Sequence, residues 1–297
     1  MVWTPFLNYL LLEKKYSKHT VQAYKKDIES FACFCLEEYE VPSIDNIEYV
    51  LIRSWVVNLV KDGLENRTIN RKIASLKAYY KFLLRIEAIE ISPLAKHKAL
   101  KVSKKIEVPF SEEEMQKVLG QIVYPEGFEG VRDKLIIDLL YATGMRRAEL
   151  IQLKCSNVNL EERSLKVLGK RNKERVIPIL ESTVDLFSQY FAERKELACV
   201  KDVNHVFLLK TGNKLYETLV YRVINGYFSK VSSKVKKSPH ILRHTFATHL
   251  LNKGADLNSV KELLGHSSLA STQVYTHNGI EELKKVHASA HPRGGKI

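Results

Sequence analysis

The sequence predicts a mainly α-helical protein with a small β-hairpin sheet. It has an N-terminal helical bundle and a mixed α/β C-terminal domain. Three observations carry this. Four segments before residue 87 repeat apolar residues at helical spacing. One stretch, "SLKVLGKRNKERVIPI", sets two apolar strand-like runs around a polar turn. A basic, proline-containing segment separates the two regions. The chain has 297 residues, 45% apolar and 27% charged, which suits two globular cores and excludes a disordered chain.

The first domain is residues 1–86. Its helical patterns cover residues 2–14, 17–38, 47–60 and 66–86, separated by "Tyr-Ser", "Val-Pro-Ser" and "Asp-Gly" loops. The start, "MVWTPFLNYLLLEKK", carries no charge before its apolar part and no small-residue cleavage site. It therefore reads as a helix and not as a signal peptide. Residues 1–50 hold five basic and eight acidic residues, net −3, and residues 51–105 hold thirteen and four, net +9. The fourth helix carries Arg67, Arg71, Lys72, Lys77, Lys81 and Arg85 with no acid between them. Lys77, Lys81 and Arg85 form one stripe, opposite Ile69, Ile73, Leu76, Tyr80 and Leu83. A solvated face is the ordinary explanation of such a stripe. The lack of i,i+4 acidic partners favours DNA contact instead.

Residues 87–107 form a linker, with Pro93 and then five lysines, Lys101 among them, against one acid. It is suited to lie along a phosphate backbone. The second domain is residues 108–297. "SEEE" at 111–114 is a capping box that opens a helix. "VRDKLIIDLLYATGMRRAELIQL" is a long helical region broken at Thr143–Gly144. The hairpin pairs Leu165–Leu168 with Val176–Ile179, "HVFLL" at 205–209 adds a short strand, and the remainder is helical.

Lys plus Arg exceeds Asp plus Glu by 47 − 34 = 13, which points to a polyanionic partner, most simply nucleic acid. No apolar run reaches the ~20 residues of a membrane span. Cys33, Cys35, Cys155 and Cys199 have neither metal-type nor disulfide-type spacing. They are expected to be reduced and buried, in a cytoplasmic protein.

"SPHILRHTFATHLL", residues 238–251, is the most informative stretch. Ser238 suits a cap, Pro239 a first helical turn and Gly254 the position after the helix. At roughly 100° per residue, His240, Arg243 and His244 share one face and His249 lies opposite. A zinc helix would place glutamate after the first histidine, where Ile241 stands, and would not include an arginine. Arg243 between two imidazoles suits an anion such as phosphate. The stretch alone leaves a solvated helix end equally open.

Three further residues complete a chemistry. Arg146 stands in "TGMRRAEL", Lys170 in the hairpin turn, and Tyr275 in "LLGHSSLASTQVYTH". Each alone has an ordinary reading, as a solvated turn or as packing. Together they suit attack of a tyrosine on a DNA phosphodiester. Tyrosine, with a pKa of about 10, needs proton removal and a polarised electrophile. Two arginines can stabilise the added negative charge, a histidine can accept the proton, and a lysine can protonate the departing sugar oxygen.

"TGMRRAEL", "LGKRNKERVIPI", "HILRHTFATHLL" and "LLGHSSLASTQVYTH" resemble, in order, the motifs of the tyrosine recombinases, the phage-integrase family. The resemblance runs from about residue 2 to residue 292, and "AHPR" near the end is similar to the tail of the Xer type. It implies a SAM-like, core-binding N-terminal bundle and a catalytic domain that together clamp duplex DNA. It also implies catalytic roles for six residues. Arg146 matches the first arginine, Lys170 the general acid, and His240 and Arg243 the helical pair, with His240 a base. His266 matches a phosphate-contacting position. Tyr275 matches the nucleophile, which makes a 3′-phosphotyrosine and frees a 5′-hydroxyl. Glu149 and His244 match supporting positions, for which a purely structural role is the alternative. His249 is read as packing. Two departures stand out. Arg171 follows Lys170 where the family commonly has glycine, and it is a candidate DNA contact. Arg147 replaces a small or apolar residue, and the motif register favours Arg146 as the site arginine.

The implied reaction is site-specific recombination by two rounds of strand exchange through a Holliday junction, with no metal, ATP or other cofactor. The chain length leaves no room for an arm-binding domain. This favours the Xer type, which resolves chromosome dimers at a dif-like site. The implied partners are double-stranded DNA, a homotetramer or a heterotetramer with a partner recombinase, and a septal DNA translocase. The tail after Tyr275 is expected to find little core of its own and to dock on a neighbouring subunit. The expected location is the cytoplasm, at the nucleoid. The alternatives are a minimal mobile-element integrase acting at an attachment core site, a type IB topoisomerase-like enzyme, and an inactive DNA-binding protein.

Overall fold

In the computed structural model the described residues are 3–103, 107–169, 174–265 and 277–294. The chain forms two compact units, residues 1–105 and 106–297.

Unit 1 is helical. Helix α1 (Thr4–Asn8) runs into a π-helical turn (Tyr9–Glu13), followed by α2 (Lys18–Tyr39), α3 (Tyr49–Lys61) and α4 (Asn66–Arg85). The bounds agree with the periodicity because each helix has an apolar face to bury. Phe6, Phe31, Trp55, Ile69, Leu76 and Tyr80 meet in one core. Ser17 caps α2 by accepting the Thr20 N–H, as the "Tyr-Ser" break requires. After α4 the chain folds back along it. Asn70 both donates to Leu100 O (2.8 Å) and accepts the Leu100 N–H (2.9 Å), while Asn66 donates to Lys101 O (2.8 Å). The basic linker is thus strapped to the basic helix.

Some basic residues of α4 do have acidic partners, and these come from other elements. Arg71 grips the buried Asp27 of α2 with two bonds (2.5 and 3.0 Å), and Lys72 and Ser75 join the same carboxylate. Arg85 lies over the Tyr9 ring and 3.6 Å from Glu13. Lys77 reaches His97 O at 3.5 Å, and Arg67, Lys77, Lys81 and Lys101 are exposed. The structure therefore separates two kinds of basic residue. Arg71→Ala should destabilise unit 1 by about 1–3 kcal/mol in urea unfolding, because it leaves a buried carboxylate short of donors. Lys81→Ala should leave stability alone and lower the log–log salt slope of DNA binding by roughly 0.9.

Unit 2 begins with α5 (Glu112–Gln116), where Ser111 and Glu114 form the expected capping box. Helix α6 (Phe128–Thr143) is buried on nearly every side and forms the centre of the unit. It ends at Gly144 with φ 59°, a conformation that glycine adopts without strain. A Cβ there would also meet Phe246 at 2.3 Å. Helix α7 (Arg147–Gln152) follows at once, then a sheet of β1 (Val158–Asn159), β2 (Ser164–Leu168) and β3 (Glu174–Pro178). The order is β1-β2-β3, antiparallel, with Leu165 opposite Ile177. Then come α8 (Glu181–Lys195), α9 (Glu217–Ser229), α10 (Pro239–Asn252), α11 (Leu257–Leu264) and α12 (His277–Ala290).

Three expectations need correction. "HVFLL" is not a strand; only isolated bridges join Lys154 to His205 and Leu208 to Lys214. Scattered backbone bonds to Leu153, Gly212, Asn213 and Leu215 and several side chains share its backbone instead. Tyr190 donates to Val206 O and accepts the Leu208 N–H, and Arg194 donates to the carbonyls of residues 202, 203 and 205. Of the four cysteines, only Cys35 is buried; Cys33 and Cys199 are exposed. The tail also finds a core on its own unit. Leu283 and Ala290 of α12 join Phe246, Leu250, Val260, Leu263 and Leu264. His287 Nε2 donates to Ala142 O (2.6 Å), and Arg293 bonds Asp138 and Ser182. Its few apolar residues hid this, because buried polar side chains supply the rest of the contact.

Candidate active site

The site is built where the breaks after α6 and α11 meet α10. Ser238 caps α10 by accepting the Ile241 N–H, and Pro239 stands in its first turn. Arg243 points inward and is 8% exposed. Its Nη1 donates to Gly144 O and its Nη2 to Leu264 O, both at 2.6 Å. Gly144 caps the end of α6 and Leu264 is the last residue of α11, so neither carbonyl has an intrahelical partner. One guanidinium thus joins the break before Arg146 to the end of α11.

Arg146 is the residue that caps α7. Its N–H donates to Glu149 Oε2 (2.8 Å) and its Nη1 to Glu149 Oε1 (2.7 Å), while Nη2 reaches Gly265 O (3.2 Å). Arg147 turns away and pairs with Glu217 at 2.5 Å. Sequence reasoning missed the next member, Arg175 of β3. It is buried, its Nη1 and Nη2 hold Glu149 at 2.9 and 2.8 Å, and its Nε donates to Leu263 O (3.1 Å). The signal for it was available. Arg175 is in phase with Ile177, so it lies on the inward face of a half-buried strand, where a charge calls for a partner.

Electrostatics define what this cluster wants. Among the described residues, Arg146 and Arg175 hold the Glu149 carboxylate and Arg243 lies near it, a charge of 3 − 1 = +2. Burial, then the charge of Arg146 and to a lesser degree that of Arg175, hold the Arg243 pKa down to about 10, against an opposing pull from Glu149. Arg243 is still charged at neutral pH. For Glu149, burial pushes the pKa up. The bonds and charge of Arg175, with those of Arg146, outweigh it and hold the group at about 2 instead of 4.5. A carboxyl depressed on folding stabilises the protein above its unfolded pKa. That stabilisation, about 3 kcal/mol for this gap, is full above about pH 4.5 and is lost as pH falls toward 2. In denaturant titrations the stability advantage of the wild type over Glu149→Gln should shrink across that window.

His240 and His244 are exposed on α10. His240 Nε2 lies 3.6 Å from Glu107 Oε2. The Glu107 carboxyl is lowered, first by its bond to Lys236 and less by these two imidazoles. His249 is buried and its Nδ1 is 2.9 Å from Tyr141 Oη, as a packing residue should be. The structure therefore brings Arg146, Arg243 and Glu149 together and sets His240 and His244 toward Glu107. Lys170, Arg171, His266 and Tyr275 lie outside the described residues. A half-buried pair of arginines with surplus positive charge suits a phosphodiester, whose non-bridging oxygens each accept such donors.

Comparison with known proteins agrees. The phage integrase family matches residues 110–282, and the phage integrase N-terminal SAM-like domain matches residues 4–87. Tyrosine recombinase XerC of Chlorobaculum parvum is 36% identical, covering 97% of this chain and 93% of its own. That of Bacillus licheniformis is 38% identical, with 99% and 97% covered. The XerH recombinase solved with difH substrate before cleavage is 27% identical, with a TM-score of 0.63 over 81% of this chain and 71% of that one. The Tn1549 transposon integrase with its right-end DNA shares the fold, with a TM-score of 0.69 at 20% identity over 94% and 97%. The chain belongs to the phage integrase family and is a Xer-type tyrosine recombinase, an enzyme that transfers DNA strands.

Proposed function

We propose that this recombinase cuts and rejoins duplex DNA at a dif-like site, through a 3′-phosphotyrosine on Tyr275 and a Holliday junction, and so resolves chromosome dimers. The observation that carries this reading is the half-buried Arg146–Arg243 pair, brought together with a net positive charge among the described residues. Its relatives named XerC and the difH complex of XerH support the kind of site. In this reading the two arginines hold the scissile phosphate. His240 and His266 assist its activation, Lys170 protonates the leaving 5′-oxygen, and Glu149 and His244 support them. The exposed Arg67, Lys77, Lys81 and Lys101, with Arg171, contact the backbone. Arg71 and Arg85 are weaker candidates, since both already face carboxylates.

The active form is a tetramer on two DNA sites, with a partner recombinase or with itself, and a septal translocase acts on it in the cytoplasm. The tail that here packs on its own unit would then be exchanged for a neighbour's. No helix of the described residues is long and apolar enough to cross a membrane. The test is cleavage of DNA fragments from the host replication terminus, each carrying a nick that traps the covalent product. Covalent attachment confined to fragments with a dif-like site supports the reading. Attachment to mobile-element ends alone overturns the chromosomal role, and relaxation of supercoils without sequence preference overturns recombination.

A further inference from the structure

We infer that Arg175 is a positioning residue for the strand-transfer reaction: it fixes Arg146 and keeps its charge available to the scissile phosphate. The inference rests on the recombinase reading above. Each oxygen of Glu149 is shared. Oε1 accepts from Arg175 Nη1 and Arg146 Nη1, and Oε2 from Arg175 Nη2 and the Arg146 N–H. Arg175 therefore clamps the carboxylate edge-on and leaves Arg146 a single side-chain bond to it. Without Arg175 the carboxylate is free to turn and meet Arg146 bidentately, which is the stronger pairing. Arg146 would then be drawn from the phosphate and neutralised.

A second route runs through the backbone. Arg175 Nε holds Leu263 O, and a Cβ on Gly265 would lie 3.0 Å from Arg175 Nη1 and 3.1 Å from Cζ. The guanidinium thus lies flat against the turn at Gly265, whose carbonyl takes Arg146 Nη2. It also stands on β3, five residues after Lys170. One side chain ties β3, the carboxylate behind Arg146 and the turn at Gly265. A fold alone does not need this arrangement, because apolar residues of similar volume commonly replace buried ion pairs without loss.

The test is Arg175→Lys in the full chain, which keeps the charge but cannot make three bonds in one plane. Two nicked substrates are compared, one with an ordinary scissile phosphodiester and one with a methylphosphonate there, which carries no negative charge. On the phosphodiester, covalent attachment should slow about 100-fold, the scale of a 1 Å misplacement. DNA affinity should stay within about twofold of wild type. On the methylphosphonate, which asks less of Arg146, the penalty should fall below about tenfold. Arg146→Ala should show the same contrast. An equal penalty on both substrates, or one matched by lost DNA affinity and a lower melting temperature, would make Arg175 merely structural. Wild type attaching to neither substrate would sink the recombinase reading itself, and this inference with it.

Discussion

Tyr275→Phe is expected to abolish covalent attachment to nicked site DNA while leaving DNA affinity within about twofold of wild type. The change removes one oxygen, and in the proposed reaction that oxygen forms the bond to phosphorus. Loss of a nucleophile from a site that otherwise still binds costs on the order of 10⁴-fold or more. Four buried or half-buried tyrosines of unit 2 are poor substitutes. Burial raises the phenol pKa of Tyr124 and Tyr141 well above 10, and pushes Tyr190 and Tyr227 up to about 12. Tyr141 is engaged with His249 and Tyr190 with Val206 and Leu208, so each oxygen already has a place in the packing. Trapped-adduct gels and peptide mapping measure the outcome. An adduct surviving in Tyr275→Phe would mean that another residue attacks.

The helices of unit 1 were readable because each amphipathic face is a local property, and Ile69, Ile73, Leu76, Tyr80 and Leu83 mark one directly. What could not be read is who meets the polar side. Arg71 finds Asp27 44 residues earlier, so a basic residue that looks unpaired along its own helix is neutralised by another. The same limit explains "HVFLL". Its residue types suit a strand, but Tyr190 and Arg194 of α8 take part of its backbone. Tertiary contacts decide such short segments.

In the site, Arg146 and Arg243 were legible from their motifs, and Gly144 from the break between α6 and α7. Their joining was not. It depends on carbonyls of Gly144 and Leu264, and every residue has a carbonyl, so no residue type marks which ones serve. Arg175 was legible in principle by strand alternation. Its place at the end of "GKRNKER" hides it, because one more cation in a basic run attracts no notice. His287 and His291 were passed over for a similar reason. Burial holds their imidazoles down to about 4 and about 3, and both bond backbone carbonyls at the end of α6. They belong to the packing of α12.

Arg243→Ala is expected to slow covalent attachment on the order of 10³-fold, and a sulfur leaving group should not rescue it. The reason lies in what Arg243 supplies. Attack on the phosphodiester adds negative charge to the non-bridging oxygens, and a preorganised donor lost from such a site costs ~10²–10³-fold. Lys170→Ala should fail for a different reason, namely a missing proton on the 5′-oxygen, with a loss on the order of 10³-fold. A substrate with sulfur at that bridging position releases a thiolate. A thiol has a pKa of about 8.5, so it needs no acid at neutral pH. Sulfur should therefore restore Lys170→Ala to near the wild-type rate and leave Arg243→Ala where it was. Equal rescue of both, or of neither, would remove Lys170 from the acid role. Stability adds a check on Arg243 itself. Its carbonyl bonds are lost with the side chain, which destabilises. A cation whose burial beside Arg146 and Arg175 is itself costly is lost as well, which stabilises. The two should largely cancel, so the melting temperature of the DNA-free protein should move by only a few degrees. A fall of ten degrees or more would show that Arg243 holds the fold together and that its slow chemistry follows from that. A small change with the full loss of rate would place its cost in the folded protein and its use at the phosphate.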